Sequence, residues 1–121
     1  MAAYRHITVH PHEEVTVVRF LDRKILDELN IQELGQELFH LVEQEKKTKL
    51  VLNFFNVEFL SSAALGKLIT LERKIKANSG KIKLSNIRTE ILEVFAITKL
   101  NKLFDIKDDE AEAVTAMKAG K

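Results

Sequence analysis

The pattern of apolar and polar positions predicts an opening hairpin and two further strands. Residues 4–9 and 15–20 are rich in β-branched and aromatic residues, and the polar segment 10–14 between them favours a turn. These two segments are therefore predicted to pair as a hairpin. A short apolar run at residues 49–53 predicts a buried strand, and the alternating apolar and polar residues 81–85 predict a further strand.

The segment 30–45 has the periodicity of an amphipathic helix. Its apolar residues recur at spacings of three and four, which forms one stripe facing a core: Ile31, Leu34, Leu38, Leu41 and Val42. Asn30 is the expected N-cap, and Glu33 follows at the distance that completes a capping box. The preceding residues 24–28 are expected to form a short crossover.

Three more helices are predicted, over residues 63–77, 88–98 and 108–118, with a last strand within residues 100–106. From the end of the hairpin onward, strands then alternate with helices. This alternation predicts an α/β layer fold whose sheet is largely parallel.

The composition is that of an ordinary globular domain. Apolar residues make up 45% of the 121 residues and charged residues 31%, which favours one domain over residues 1–121 with its core at about 4–118. The net charge of +1 argues against a nucleic-acid or anionic-membrane binder. The absence of cysteine excludes disulfides, thiolate metal sites and a cysteine nucleophile. Because no signal peptide or long apolar run is visible, a cytoplasmic protein without membrane insertion is expected.

The sequence does not predict a metal, cofactor or catalytic site. His10 and His12 flank Pro11, but a metal site needs further ligands, so an exposed turn is the simpler interpretation. No glycine-rich phosphate-binding loop is present. For nucleophilic catalysis Ser62 would need a nearby general base, and the sequence indicates none. A protein that is not an enzyme and carries no cofactor is therefore expected.

The serine pair Ser61-Ser62 opens the central helix, after the loop that follows the strand at residues 49–53. The first turn of any helix leaves backbone N–H groups unsatisfied and carries a partial positive charge. A serine at this point can cap the helix, and a phosphorylated serine would be stabilised at the same point. The residues alone leave both roles open.

Three segments, in this order along the chain, resemble the STAS domain family, the anti-sigma-factor antagonists and their relatives. Residues 26–34, LDELNIQEL, are similar in spacing to the family's Leu-Asp-(x)6-Leu at the entrance to its first helix. Residues 57–68, VEFLSSAALGKL, resemble its pattern apolar-Asp-Ser-(Ser/Thr/Ala)-Gly-Leu-Gly-x-Leu at a helix start. Residues 91–104 resemble the end of the family's third helix, with its pattern Thr-x-Leu-x-x-x-Phe. The similarity covers about residues 4–118.

The resemblance implies a mixed sheet of about five strands, including the N-terminal hairpin, covered by about four helices. It also implies a non-catalytic switch in protein interaction. In the antagonist branch of the family, the unmodified protein binds an anti-sigma factor that is itself a serine protein kinase. Phosphorylation of a loop serine releases the complex, and a PP2C-type phosphatase resets it.

By this resemblance the phosphoacceptor is Ser62, while Ser61 stands where the family usually has Asp. The neighbourhood that the resemblance implies for the phosphosite consists of Asp27, Asn53, Asn56, Ser61, Ala63 and Ala64. Phe55 and Val57 are expected to offer apolar surface on which a partner packs when the serine is unmodified.

The alternative is a constitutive STAS scaffold subunit in which Ser61 and Ser62 only cap the helix. Such a subunit would resemble a stressosome component or the small STAS component of a lipid-transport ABC system. The sequence leaves the partner, the signal and the oligomeric state open.

Overall fold

Strands and helices alternate along the computed structural model, which describes residues 4–120. The elements are β1 (Ile7–His12), β2 (Val15–Phe20), β3 (Lys24–Ile25), α1 (Glu28–Glu43), β4 (Lys49–Asn53), β5 (Phe59–Leu60), α2 (Ser62–Ala77), β6 (Lys81–Ser85), α3 (Thr89–Ile97), β7 (Asp105–Lys107) and α4 (Glu110–Lys118). A 3-10 turn at Leu100–Lys102 precedes β7. Across residues 4–120, the structure contains no helix that is both long and apolar enough to cross a membrane.

Five strands form one mixed sheet in the order β1-β2-β4-β6-β7. The β1 strand pairs antiparallel with β2, and the other neighbours pair in parallel. The predicted mixed α/β sheet with an N-terminal hairpin is therefore confirmed. A separate parallel pair, β3 with β5, was not predicted, because two-residue strands carry no periodicity.

The two faces of the main sheet are covered unequally. The larger core lies between the sheet and α1, α2 and α3, and it contains Leu50 and Leu52 of the central strand β4. The residue between them, Val51, points to the opposite face, as alternation along a strand requires. There it joins a small second core with α4, built from Val15, Val17, Ala113 and Met117.

The expected turn at residues 10–14 is shorter than predicted. His10, Pro11 and His12 continue β1, and the reversal is made at Glu13 and Glu14, with Glu13 at a φ of 61°. Pro11 is tolerated in β1 because this is an edge strand of the sheet. On its outer side no neighbouring strand needs the backbone N–H that proline lacks.

The first helix begins earlier than predicted, so the N-cap expected at Asn30 is wrong. Asp27 is the N-cap, and its carboxylate Oδ2 accepts a hydrogen bond from the Asn30 amide at 3.1 Å. Glu33 is not part of a capping box there, because its carboxylate contacts His6 instead. Asparagine and aspartate are equally good caps, so local chemistry could not separate the two positions.

Gly80 is required where α2 turns into β6. A Cβ atom at this residue would lie 2.1 Å from the carbonyl oxygen of Thr48, on the chain entering β4. The left-handed residue of this turn is Ser79, with a φ of 59°, so Gly80 is there for close approach rather than for backbone freedom.

Candidate interaction site

The short sheet of β3 and β5 brings the beginnings of α1 and α2 side by side. Ile25 pairs with Leu60, and the amide of Ser61 donates to the carbonyl oxygen of Ile25 at 3.1 Å. The Leu26-Asp27 segment therefore lies next to the Ser61-Ser62 segment, although the two are far apart in the chain. Both segments had been expected at the site, and the structure brings them together.

Ser61 is the N-cap of α2. Its Oγ accepts a hydrogen bond from the Ala64 amide at 3.2 Å, and its carbonyl oxygen accepts one from Leu65 at 3.1 Å. The side chain is half-buried. The first turn of α2 contains no acidic residue, so no carboxylate there competes for the positive end of the helix dipole.

Ser62, one position further, is exposed and is the first residue of the helix. Its hydroxyl is not needed as the cap, because Ser61 supplies that hydrogen bond. Ala63 is exposed as well, whereas Ala64 is buried in the larger core and only 2% accessible. Of the two serines, Ser62 is thus the more exposed.

A shallow groove of about 580 Å³ runs past Ser62 between α1 and α2. Besides the serine pair, the residues that line it include Leu26, Glu28, Gln32, Gly66 and Lys67. The ammonium of Lys67 donates to Gln32 Oε1 at 3.2 Å, and its stem packs where Gly35 leaves room on α1. The groove therefore carries one acidic and one basic side chain beside an apolar edge.

Exposed apolar side chains surround the helix starts. Leu26 and Leu29 at the beginning of α1 are 52% and 66% accessible, and Phe59 of β5 is also half-exposed. Phe55 is exposed as predicted, but Val57 is fully buried in the core, so its predicted role as docking surface is wrong. In this loop Phe54 and Val57 are buried while Phe55 and Asn56 are exposed, so Val57 contributes to the core.

Asn53 and Asn56 lie in a neighbouring pocket, away from the groove at Ser62. This pocket of about 440 Å³ lies between the β4–β5 loop and the start of α4. Asn53 Oδ1 accepts from the Phe55 amide at 2.8 Å, and Asn56 Nδ2 donates to the carbonyl oxygen of Phe20 at 3.0 Å. Both amides therefore shape the loop that leads to Ser62, and the predicted site residues divide between two places.

An Arg19–Glu110 ion pair closes this second pocket. The guanidinium donates to both carboxylate oxygens, at 2.9 and 2.8 Å, and Asn53 Nδ2 adds a third hydrogen bond at 2.9 Å. The hydrogen bonds from Arg19, opposed by partial burial and helped by Asn53, lower the pKa of Glu110 to about 2. Sequence reasoning missed this pair because its members lie on β2 and α4, and no local pattern links them.

Arg88 holds the β4–β5 loop from the other side. Its Nε donates to the carbonyl oxygen of Val57 at 3.1 Å, and Nη2 donates to that of Phe55 at 3.4 Å. Glu58 in the same loop accepts two hydrogen bonds from the Arg23 guanidinium, at 2.8 and 3.0 Å. Neither arginine was predicted to matter, since both bind groups distant in sequence.

Several known proteins are similar to this chain. It is 22% identical over 94 residues to BtrV of Bordetella bronchiseptica, a protein described as an anti-sigma factor antagonist, covering 78% of this chain and 80% of that protein. A solved structure described as an anti-sigma factor antagonist, from Thermotoga maritima, superposes with a TM-score of 0.82 at 20% identity, covering 93% of this chain and 94% of that one. The Bacillus cell fate determinant SpoIIAA, solved in its phosphorylated form, superposes with a TM-score of 0.70 at 20% identity, covering 91% of this chain and 97% of that one.

The STAS domain family model matches residues 6–113, which is most of the chain. The match includes both helix starts, the serine pair and the loop between β4 and β5. The family predicted from three short segments is thereby confirmed, and this chain belongs to the STAS domain family.

Proposed function

We propose that this protein is an anti-sigma factor antagonist that acts as a cytoplasmic, non-catalytic interaction switch. The unmodified form binds an anti-sigma factor with serine kinase activity, phosphorylation of Ser62 releases it, and a PP2C-type phosphatase restores binding. The observation that carries this proposal is the exposure of Ser62 directly after a capping serine. The similarity to anti-sigma factor antagonists supports the role, and the phosphorylated relative supports the mechanism.

A phosphate on Ser62 would leave the fold intact. The cap of α2 belongs to Ser61 and its hydrogen bond to Ala64, which modification of the next residue does not remove. The added charge of about −1.5 to −2 would lie at the positive end of the helix dipole, beside the free amides of the first turn. Modification is therefore compatible with folding and changes the surface.

The same phosphate would weaken docking on the surrounding apolar surface. Leu26 is exposed and lines the same groove as Ser62, so a partner that fills this groove also covers Ser62. Burying a dianion without a paired cation costs several kcal/mol, and any acidic group of the partner would add repulsion. A loss of about 3 kcal/mol would reduce affinity roughly 100-fold.

The test begins with the partner and the modification. The untagged chain is co-purified from its source cells, the bound protein is identified, and the phosphorylated residue is located by mass spectrometry. We expect phosphate on Ser62 and not on Ser61. Phosphate on a different residue, or none after incubation with a partner kinase and ATP, would contradict the proposal.

Binding of that partner is then titrated with three variants by calorimetry. Ser62→Asp should fold normally and bind about 100-fold more weakly, whereas Ser62→Ala should bind like the wild type. Thr115→Asp, an exposed position on α4 across the sheet, adds the same charge as a matched control and should not alter affinity. Equal affinity of Ser62→Asp and Ser62→Ala would instead indicate a constitutive scaffold in which the serines only cap α2.

A further inference from the structure

His6, just before β1, is enclosed by carboxylates from two other parts of the chain. Its side chain is only 9% accessible, and both ring nitrogens are engaged. Nδ1 lies 2.6 Å from Oδ2 of Asp22, which follows β2, and Nε2 lies 2.8 Å from Oε1 of Glu33 on α1. One imidazole thus joins the N-terminal segment, the β2–β3 connection and the first helix.

Other charges near His6 belong to the same cluster. From α1, the Glu37 carboxylate accepts the backbone amides of Arg5 and His6 at 2.9 and 3.0 Å. From its own segment, the Arg5 guanidinium lies 3.6 Å from Glu33 Oε2 and offsets part of the negative charge. Three carboxylates therefore surround one arginine and one imidazole.

The protonation state of His6 follows from its partners. An ionised carboxylate can only accept a hydrogen bond, while a neutral imidazole donates from one nitrogen and accepts at the other. A neutral ring would therefore set a nitrogen lone pair against either Asp22 or Glu33. Only the imidazolium form satisfies both contacts.

We propose that doubly protonated His6 is a clamp that fastens the β2–β3 connection to α1, and that loss of its proton loosens this connection. The clamped segment leads directly to the interaction site. Asp22 precedes Arg23, whose carbonyl oxygen accepts the amides of Glu58 and Phe59 at 2.7 and 3.1 Å. The clamp thus acts on the β3–β5 pairing that positions Ser61 and Ser62, and it does not depend on the proposed phosphorylation.

The direction of the pH effect follows from the opposing effects of burial and of the neighbouring carboxylates on the pKa of His6. Burial by itself lowers the pKa of His6, but the hydrogen bonds to Glu33 and Asp22 and the charges of Asp22 and Glu37 outweigh it, so the pKa is raised. A raised pKa in the folded state contributes stability that is fully present below the ordinary histidine value of about 6.5. This stability is lost as the pH rises through the folded-state pKa.

The first test is an NMR titration of the wild-type protein, following the Cε1–H resonance of His6. The midpoint should lie above about pH 6.5, which is the ordinary pKa of histidine. In Asp22→Asn, which removes one carboxylate charge, the midpoint should fall. A wild-type midpoint at or below the ordinary value would overturn the proposal, and this result needs no variant to fold.

The second test compares denaturant unfolding and amide exchange across the same pH range. The stability advantage of the wild type over His6→Gln should shrink as the pH rises, and exchange at residues 21–26 should be faster in the variant. His12→Gln, an exposed position on β1, is the matched control and should follow the wild type. An advantage over His6→Gln that does not change with pH would overturn the proposal.

Discussion

At the scale of single residues, the two adjacent serines show how one position along a helix start separates two roles. Ser61 has extended backbone angles and turns its oxygen back toward the amide of Ala64. Ser62 already has helical geometry, so its side chain projects outward from the first turn. The capping hydrogen bond and the accessible hydroxyl are therefore supplied by different residues.

This separation predicts unequal costs for two alanine substitutions. Ser61→Ala should lower the free energy of unfolding by about 1 kcal/mol, because the Ala64 amide loses its acceptor. Ser62→Ala should change it by less than about 0.5 kcal/mol, as expected for an exposed position without such a contact. Urea unfolding of both variants measures the difference, and equal losses would show that Ser62 also contributes to the cap.

At the scale of elements, the β4–β5 loop is rigid because it is bonded from several sides. Asn53 and Asn56 bind it from within, Arg88 binds two of its carbonyl groups, and Glu58 is held by Arg23. Because these hydrogen bonds fix the backbone of the loop, the Phe55 side chain can stay exposed to solvent without the loop folding over it. The loop that leads to the candidate interaction site is therefore held by contacts that lie outside that site.

Removal of one of these contacts should loosen the loop locally. Arg88→Met keeps much of the side-chain volume but leaves the carbonyl groups of Phe55 and Val57 without their donor. We expect a loss of about 1 kcal/mol in unfolding free energy and faster amide exchange in residues 54–60.

Hydrogen exchange measured by mass spectrometry tests this prediction. Arg73→Met, at an exposed position on α2, is the matched control and should leave exchange in the loop unchanged. If Arg88→Met exchanged at the wild-type rate in this segment, the guanidinium would not be what orders the loop.

At the scale of the whole molecule, α4 is the helix that covers one face of the sheet within the described residues 4–120. Its apolar contact is small, with Ala113 and Met117 against three valines, so polar contacts at its ends become important. At its start Glu110 binds Arg19 and Asn53, and near its end Lys118 Nζ donates to Glu13 at 2.7 Å. These contacts fasten the helix across β2 and β4.

The pH dependence of stability should report on this attachment. The folded-state pKa of Glu110 is lowered to about 2. Its ionised carboxylate therefore contributes to the free energy of unfolding above the ordinary glutamate pKa of about 4.3, and this contribution is lost as the pH falls toward 2. After allowance for the partly exposed Arg19, the contribution is about 1 to 2 kcal/mol. Glu110→Gln should therefore lose less stability than the wild type on acidification.

Urea titrations at several acidic pH values measure this difference. Glu112→Gln, an exposed position in the first turn of the same helix, is the control and should retain the wild-type pH profile. Parallel profiles for Glu110→Gln and the wild type would mean that the ion pair does not stabilise the attachment of α4.

The sequence by itself determined the alternation of elements, the mixed α/β sheet, the family and the serine pair at a helix start. The elements and the helix start depend on local periodicity and on cap chemistry, both of which are readable within about one or two turns of chain. The family was predicted separately, from the resemblance of three short segments to its motifs. The strands at residues 49–53 and 81–85 were predictable for this reason, and so was the helix predicted over residues 88–98, which spans Thr89–Ile97.

Only the tertiary structure decided which residues share a surface. Contacts between distant segments decide the burial of Val57, the β3–β5 pair and the carboxylates around His6. A two-residue strand has no period, and an ion pair between distant elements leaves no local pattern. For that physical reason the sequence pointed to Ser62, but the fold was needed to show that Ser61 provides the cap and leaves Ser62 exposed.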